Sequence, residues 1–189
     1  MTFDADKLRA LLAGRPRASV DIDGFAPAAV LVPIVSEPGL PEQLLFTERR
    51  HDLSRHAGQI AFPGGKQDAD DADHAACAVR ETTEELGIEP AAIEVLGLLD
   101  DVPTPTRFVI TPVVARLRGP LAMAPNPAEV ASVFSAPIDA LADPTRYTAN
   151  GTRTFLGVTY EMHEYRWEPH RIWGATARMV YQLMTLMHE

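Results

Sequence analysis

A two-faced helix constrains this chain more than any other segment of its sequence. Residues 73–86 are spaced as a helix, and Gly87 follows where helices commonly end on a left-handed residue. At 100° per residue, one face carries small and apolar side chains, namely Ala75, Ala78, Val79, Thr82 and Leu86. We expect that face to pack on a sheet, so the helix predicts a layered fold.

A separate arc of the same helix gathers three carboxylates, Glu81, Glu84 and Glu85. Like charges at this spacing repel one another, and the helix dipole disfavours negative charge near the C-terminus. A divalent cation, Mg²⁺ or Mn²⁺, would turn that repulsion into binding because both ions prefer oxygen ligands. A solvated acidic face is the alternative, and the glutamates alone leave both interpretations open. Arg80 can pair with Glu84 one turn on and orient it.

The remaining elements predict an α/β (α+β) sandwich of three layers with a mixed sheet, in a single domain over residues 1–189. Helices are expected at residues 4–13 and 171–188, with Trp173 in the core. Residues 129–134 fit either a strand or a helix. Strands are expected at residues 28–36, 44–49, 59–62, 93–101 and 108–118, and as a hairpin at 152–158 and 162–167.

Composition argues against several functions. A formal net charge of −9 disfavours non-specific nucleic-acid binding. The N-terminus lacks the apolar core of a signal peptide, and no stretch approaches the ~20 apolar residues of a membrane span, so no membrane partner is expected. The single cysteine, Cys77, suits a reducing cytoplasm and is expected to be buried and inert.

The segment before the helix has the opposite charge. Residues 48–66 carry a net charge of +2, whereas residues 67–101 carry −10. Between them, Gly64-Gly65 lets the backbone turn sharply, and Asp71 or Asp73 is expected to cap the helix. This order favours a site where cations meet carboxylates beside a patch that holds an anion.

Gly65 and residues 80–88 resemble the signature of the Nudix hydrolases. That signature is Gly, five residues, Glu, seven residues, then Arg-Glu-x-x-Glu-Glu-x-Gly and an apolar residue. The second half matches fully, but fourteen residues rather than thirteen separate Gly65 from Arg80. The expected early glutamate falls on Asp71 or Ala72, so Asp71 is a candidate substitute. The resemblance implies a Nudix-like α/β/α sandwich.

An upstream motif resembles the branch of this family that cleaves coenzyme A. The matching residues are 44–50, 53, 56 and 58–65, and residues 173–177 also resemble that branch. The resemblance implies metal-dependent hydrolysis of coenzyme A to adenosine 3′,5′-bisphosphate and 4′-phosphopantetheine. It further implies a small-molecule nucleotide partner and, as a family expectation, a homodimer.

Roles follow from the resemblance, position by position. Glu81 and Glu85 would be the main metal ligands, Glu84 would complete the cluster or act on water, and the Gly65 carbonyl would be a further ligand. Glu129 and Asp71 are candidates for an extra base or ligand. The substrate phosphates would be held by the basic segment, for which the candidates are Arg49, Arg50, Arg55 and His56.

Two rivals stay open. One is a Nudix hydrolase acting on ADP-ribose, a dinucleotide or an oxidised nucleotide, against which the upstream motif argues. The other is a Nudix module that binds a nucleotide without cutting it. Such modules usually lose signature glutamates, and all three glutamates are present here.

Overall fold

The computed structural model describes residues 4–50 and 58–188, and its strands form two sheets. The main sheet contains β1 (Ala26–Ser36), β2 (Gln43–Arg49), β3 (Ile60–Ala61), β4 (Gly64–Lys66), β5 (Ile93–Leu98), β6 (Val102–Pro103), β7 (Phe108–Arg118) and β8 (Val130–Pro137). The second sheet contains β9 (Tyr147–Phe155), β10 (Val158–Trp167) and β11 (His170–Trp173). The helices are α1 (Ala5–Gly14), α2 (His74–Leu86), α3 (Ile138–Leu141) and α4 (Gly174–Met187).

Two long strands organise the main sheet. β1 and β7 pair in parallel along their whole length, from Ala26 opposite Phe108 to Ser36 opposite Arg118. β2 and β4 add to β1 in the antiparallel sense, as β5 and β6 add to β7, so the sheet is mixed, as predicted. β1 is buried on both faces, which explains its nearly continuous apolar sequence.

Helices cover both faces of this sheet. On one face, α2 packs against a core that includes Leu31, Leu45 and Val113. On the other face, α1 and α4 share a core with side chains such as Val32 and Phe46. Each fully buried side chain of this size contributes about 2 kcal/mol relative to an exposed one. The three-layer α/β/α prediction is therefore confirmed.

The second sheet corrects two predicted boundaries. β9 and β10 form the expected hairpin, but it turns at Leu156-Gly157 rather than after residue 158. The expected helix from residue 171 begins only at Gly174, because residues 170–173 alternate in burial as a strand. Trp173 is 44% exposed, so its prediction as a core residue is wrong.

The ambiguous stretch at residues 129–134 belongs mainly to β8, which pairs with β2. Among the described residues, no helix has both the length and the apolar character needed to cross a bilayer.

Candidate active site

The glycine turn lies directly against the glutamates of α2. Gly64 pairs with Val30 and Gly65 with Ala29, which fixes the turn on β1. Gly64 has φ 152°, and a Cβ there would overlap the Ala29 carbonyl oxygen. A Cβ on Gly65 would lie 2.6 Å from the carboxylate of Glu81. Gly64 therefore has no room for a side chain against β1, and a side chain on Gly65 would have to displace the Glu81 carboxylate.

Both ends of α2 are capped by residues that the sequence identified. The Asp73 carboxylate accepts a hydrogen bond from the Ala76 amide at 2.8 Å. Gly87 is left-handed, with φ 66°, and its amide donates to the Thr83 carbonyl at 2.9 Å. Cys77 is fully buried on the sheet side, as expected. In the helix bounded by these caps, Glu81 and Glu85 lie against the glycine turn.

Glu85 is the most buried of the three carboxylates, at 5% exposure. Its Oε2 accepts a hydrogen bond from the Gly64 amide at 3.3 Å. Burial raises the pKa of Glu85 to about 7, although the Gly64 amide opposes the shift. Burial also raises the pKa of Glu81, against the opposing effect of Arg80. The negative charges of Glu81 and Glu85 are thus only partly balanced by neighbouring groups. A hard divalent cation would balance them, so the pair suits a metal site.

Arg80 connects the acidic residues to one another. Its Nε and Nη2 bind the two carboxylate oxygens of Asp71, each at 2.9 Å. Its Nη1 donates to Glu81 at 2.9 Å and to Glu84 at 3.1 Å, so the predicted pairing with Glu84 is present. These bonds hold the pKa of Asp71 well below its usual range. Asp71, rather than Ala72, is therefore the residue that contacts the signature arginine.

Glu84 is the most exposed of the three signature glutamates. Its side chain is 58% exposed and turned to Arg80. Within residues 4–50 and 58–188, no three acidic, histidine or cysteine side chains converge as a preformed ion site. The chemistry of Glu81, Glu85 and the adjacent Gly65 carbonyl still fits an oxygen-preferring cation.

The loop that carries Glu129 returns to the end of α2. The amides of Ala124 and Asn126 donate to the carbonyls of Leu86 and Glu85, each at 2.8 Å. Glu129 is exposed, accepts a bond from the Asn126 side chain at 3.2 Å, and by its charge raises the pKa values of Glu81 and Glu85. The structure thus places this candidate beside the signature glutamates, although it lies far from them in the sequence.

A cavity of about 520 Å³ opens beside the glycine turn. Arg49 lines it, and its buried Nε lacks a hydrogen-bond partner within the described part of the chain. Arg50 does not line it, and its Nη1 donates to the Pro127 carbonyl at 2.6 Å. Arg55 and His56 lie outside the described residues, so their roles stay predictions.

Several residues of this cavity were not predicted from the sequence to bind a ligand. They come from the end of β4, the second sheet and α4, and include Lys66, Arg153, Tyr160, Trp173 and Arg178. No local motif marks the arginines among them. Only the resemblance at residues 173–177 pointed toward this wall of the cavity.

With this geometry in place, similarity to known proteins identifies the family. The NUDIX domain matches residues 25–156, and the chain belongs to the Nudix family. It is 38% identical over 157 residues to the uncharacterized Nudix hydrolase NudL of Photorhabdus laumondii, covering 82% of each chain. It is thus a Nudix hydrolase of a pyrophosphate-containing substrate, and Nudix hydrolases generally use divalent metals.

Solved structures agree with this assignment. The chain resembles the Nudix hydrolase RenU of M. smegmatis with a TM-score of 0.53 and 26% identity, covering 62% of this chain and 74% of RenU. It also shares the fold of a C. elegans Ap4A hydrolase, with a TM-score of 0.51 and 18% identity, over 59% and 80% of the two chains. The fold predicted from the sequence is confirmed by these relatives.

Proposed function

We propose that this Nudix hydrolase cleaves the pyrophosphate bond of coenzyme A and its derivatives, giving adenosine 3′,5′-bisphosphate and 4′-phosphopantetheine. The observation that carries this proposal is the continuity of the cavity with the glycine turn. One end is bordered by Gly64 and Gly65, beside the carboxylates, and the rest is lined by both cations and apolar side chains. Coenzyme A combines the matching chemistry, since it has phosphates, a base and a long uncharged arm.

The protein's own residues divide the work. Glu81, Glu85 and the Gly65 carbonyl would hold Mg²⁺ or Mn²⁺, with Glu84 completing the set. When bound, the ion would neutralise charge on the pyrophosphate and lower the pKa of a bound water. Arg80 positions Glu81 and Glu84 through its guanidinium.

Two further roles concern the water and the phosphates. Glu84 and Glu129 are exposed carboxylates, so either can take the proton of the attacking water. Arg49 would bind a substrate phosphate, which would give its buried Nε a partner. Arg50, Arg55 and His56 keep their proposed part in phosphate binding.

The test is direct. Purified protein is incubated with coenzyme A and Mg²⁺ or Mn²⁺, and adenosine 3′,5′-bisphosphate is sought by chromatography. Product should vanish without metal and in Glu85→Gln, and persist in Glu89→Gln, an exposed glutamate just beyond α2. Cleavage of ADP-ribose or a dinucleotide but not coenzyme A would overturn the substrate assignment and retain the acidic site. Binding of nucleotides with no cleavage would favour the non-catalytic module.

A further inference from the structure

The cavity contains a second group of positive charges, contributed by the second sheet and α4. Arg153 on β9 and Arg178 on α4 both line it. Arg153 is the cross-strand partner of Tyr160, and the Arg178 guanidinium lies 5.2 Å from the centre of the Tyr160 ring. Directly opposed residues on paired strands have side chains on the same face. Both arginines are therefore gathered around Tyr160.

These two arginines differ from most others in the protein. Within residues 4–50 and 58–188, neither Arg153 nor Arg178 forms an ion pair. By contrast, Arg166 and Arg171 on the same sheet both bind Glu164. Two neighbouring guanidinium groups without carboxylate partners repel each other, and an anion between them would relieve that repulsion.

The net charge of the whole cavity also favours an anionic ligand. Its described lining residues carry four cations, Arg49, Lys66, Arg153 and Arg178, and one carboxylate, Glu161. The local net charge is thus 4 − 1 = +3, although the chain as a whole carries −9. Lys66 follows the glycine turn directly, and Arg49 is the proposed ligand of a scissile phosphate, so both are assigned to the reacting end. The positive charges of Arg153 and Arg178 therefore remain available to bind a different anionic group.

We infer that Arg153 and Arg178, gathered at Tyr160, form a second anion site for a phosphate that is not part of the scissile pyrophosphate. The inference deepens the proposed function and rests on it for the identity of that phosphate, which in coenzyme A is the 3′-phosphate of the ribose. Arginine suits this role because its guanidinium donates parallel hydrogen bonds to phosphate oxygens. Arg153 and Arg178 are thus specificity residues that distinguish substrates by this extra charge.

A binding experiment isolates the site from catalysis. Adenosine 3′,5′-bisphosphate and adenosine 5′-monophosphate differ only in the 3′-phosphate, and calorimetry without metal gives both affinities. Wild-type protein should bind the bisphosphate about tenfold more tightly or better. The ratio should fall toward one in Arg153→Gln and Arg178→Gln, while the affinity for the monophosphate changes little. Arg166→Gln is the matched control, since Arg166 is on the same sheet, does not line the cavity and should keep the ratio.

A substitution that removes a negative charge from the cavity provides a second test. Glu161→Gln removes the one carboxylate among the described lining residues and should tighten bisphosphate binding about twofold. A wild-type ratio near one, or a ratio unchanged in both arginine variants, would overturn the inference. The wild-type ratio needs no variant, so misfolding of a variant cannot hide the result.

The two proposals fail separately in this design. Turnover of coenzyme A is measured on the same wild-type preparation. If coenzyme A is turned over but the bisphosphate and the monophosphate bind with equal affinity, the second anion site is rejected and coenzyme A is retained as the substrate. If the affinity ratio is tenfold but coenzyme A is not turned over, the second anion site is retained and coenzyme A is rejected as the substrate.

Discussion

The acidic centre and the far wall of the cavity are built in different ways. The acidic centre comes from one continuous segment, from the turn at Gly64 to the cap at Gly87. The far wall is assembled from the second sheet and α4, whose residues Arg153 and Arg178 have no motif of their own. The residues proposed for chemistry are therefore encoded in one stretch of sequence, whereas those proposed for recognition depend on long-range packing. Substitutions in the first region should change the rate, and those in the second should change substrate affinity.

The largest effect is expected at the acidic centre. Glu81→Gln should lower kcat about 1,000-fold, because it removes one negative charge from the proposed metal site. A bound ion stabilises the transition state by several kcal/mol. The thermal midpoint should stay the same or rise, since a partly buried charge is lost. Steady-state kinetics with coenzyme A and thermal unfolding measure both quantities. If Glu84→Gln costs more than Glu81→Gln, the assignment of the main ligands is wrong.

Arg80→Lys should have the next largest effect. Lysine keeps the charge but cannot bind both oxygens of Asp71 while reaching Glu81 and Glu84. We expect kcat to fall about 30-fold, and the metal concentration needed for half-maximal rate to increase. Asp71→Asn should reproduce part of this loss through Arg80. Full activity in both variants would show that this ion-pair network does not position the glutamates.

The two glycines should respond differently to the same substitution. Gly65→Ala should lower kcat about tenfold at near-normal stability, because the new Cβ displaces the flexible Glu81 carboxylate. Gly64→Ala should instead cost about 2 kcal/mol of unfolding free energy, since φ 152° and the Ala29 carbonyl both exclude a side chain. Urea unfolding and kinetics on both variants separate the effects. Equal losses of stability would contradict the distinction.

Trp173→Ala tests the recognition side of the comparison. The indole is 44% exposed and lines the cavity, so its loss should raise KM about fivefold with little change in kcat. Tyr181→Ala, which removes a similarly exposed aromatic ring outside this cavity, is the control for kinetics. A large fall in kcat with unchanged KM would mean that Trp173 belongs with the catalytic residues.

The smallest effect concerns stability in acid. Arg171, with Asn150 and Arg166, lowers the pKa of Glu164 from 4.5 to about 2. Because the folded pKa is depressed, this stabilisation is present above about pH 4.5 and is lost as the pH falls toward 2. Glu164→Gln should therefore be less stable at pH 7 and lose less stability between pH 4.5 and 2. Urea unfolding at several pH values measures this, and a slope equal to that of wild type would contradict it.

The sequence predicted those parts of the protein that depend on neighbouring residues. Asp73 and Gly87 cap α2 as expected, and the apolar run of β1 forms a buried strand. The hairpin turn was misplaced because Leu156, with φ 54°, occupies a left-handed position that usually selects glycine or asparagine. Arg153 and Arg178 could not be found, since their meeting at Tyr160 depends on how β9, β10 and α4 pack.

Arg80 also has a consequence for how the enzyme acquires its metal. Its guanidinium already compensates part of the charge on Asp71, Glu81 and Glu84, so the acidic helix does not need an ion in order to fold. Folding and metal loading are thereby uncoupled, unlike in small zinc domains that unfold when stripped. A chelator should therefore abolish activity while leaving the fold and the thermal midpoint nearly unchanged.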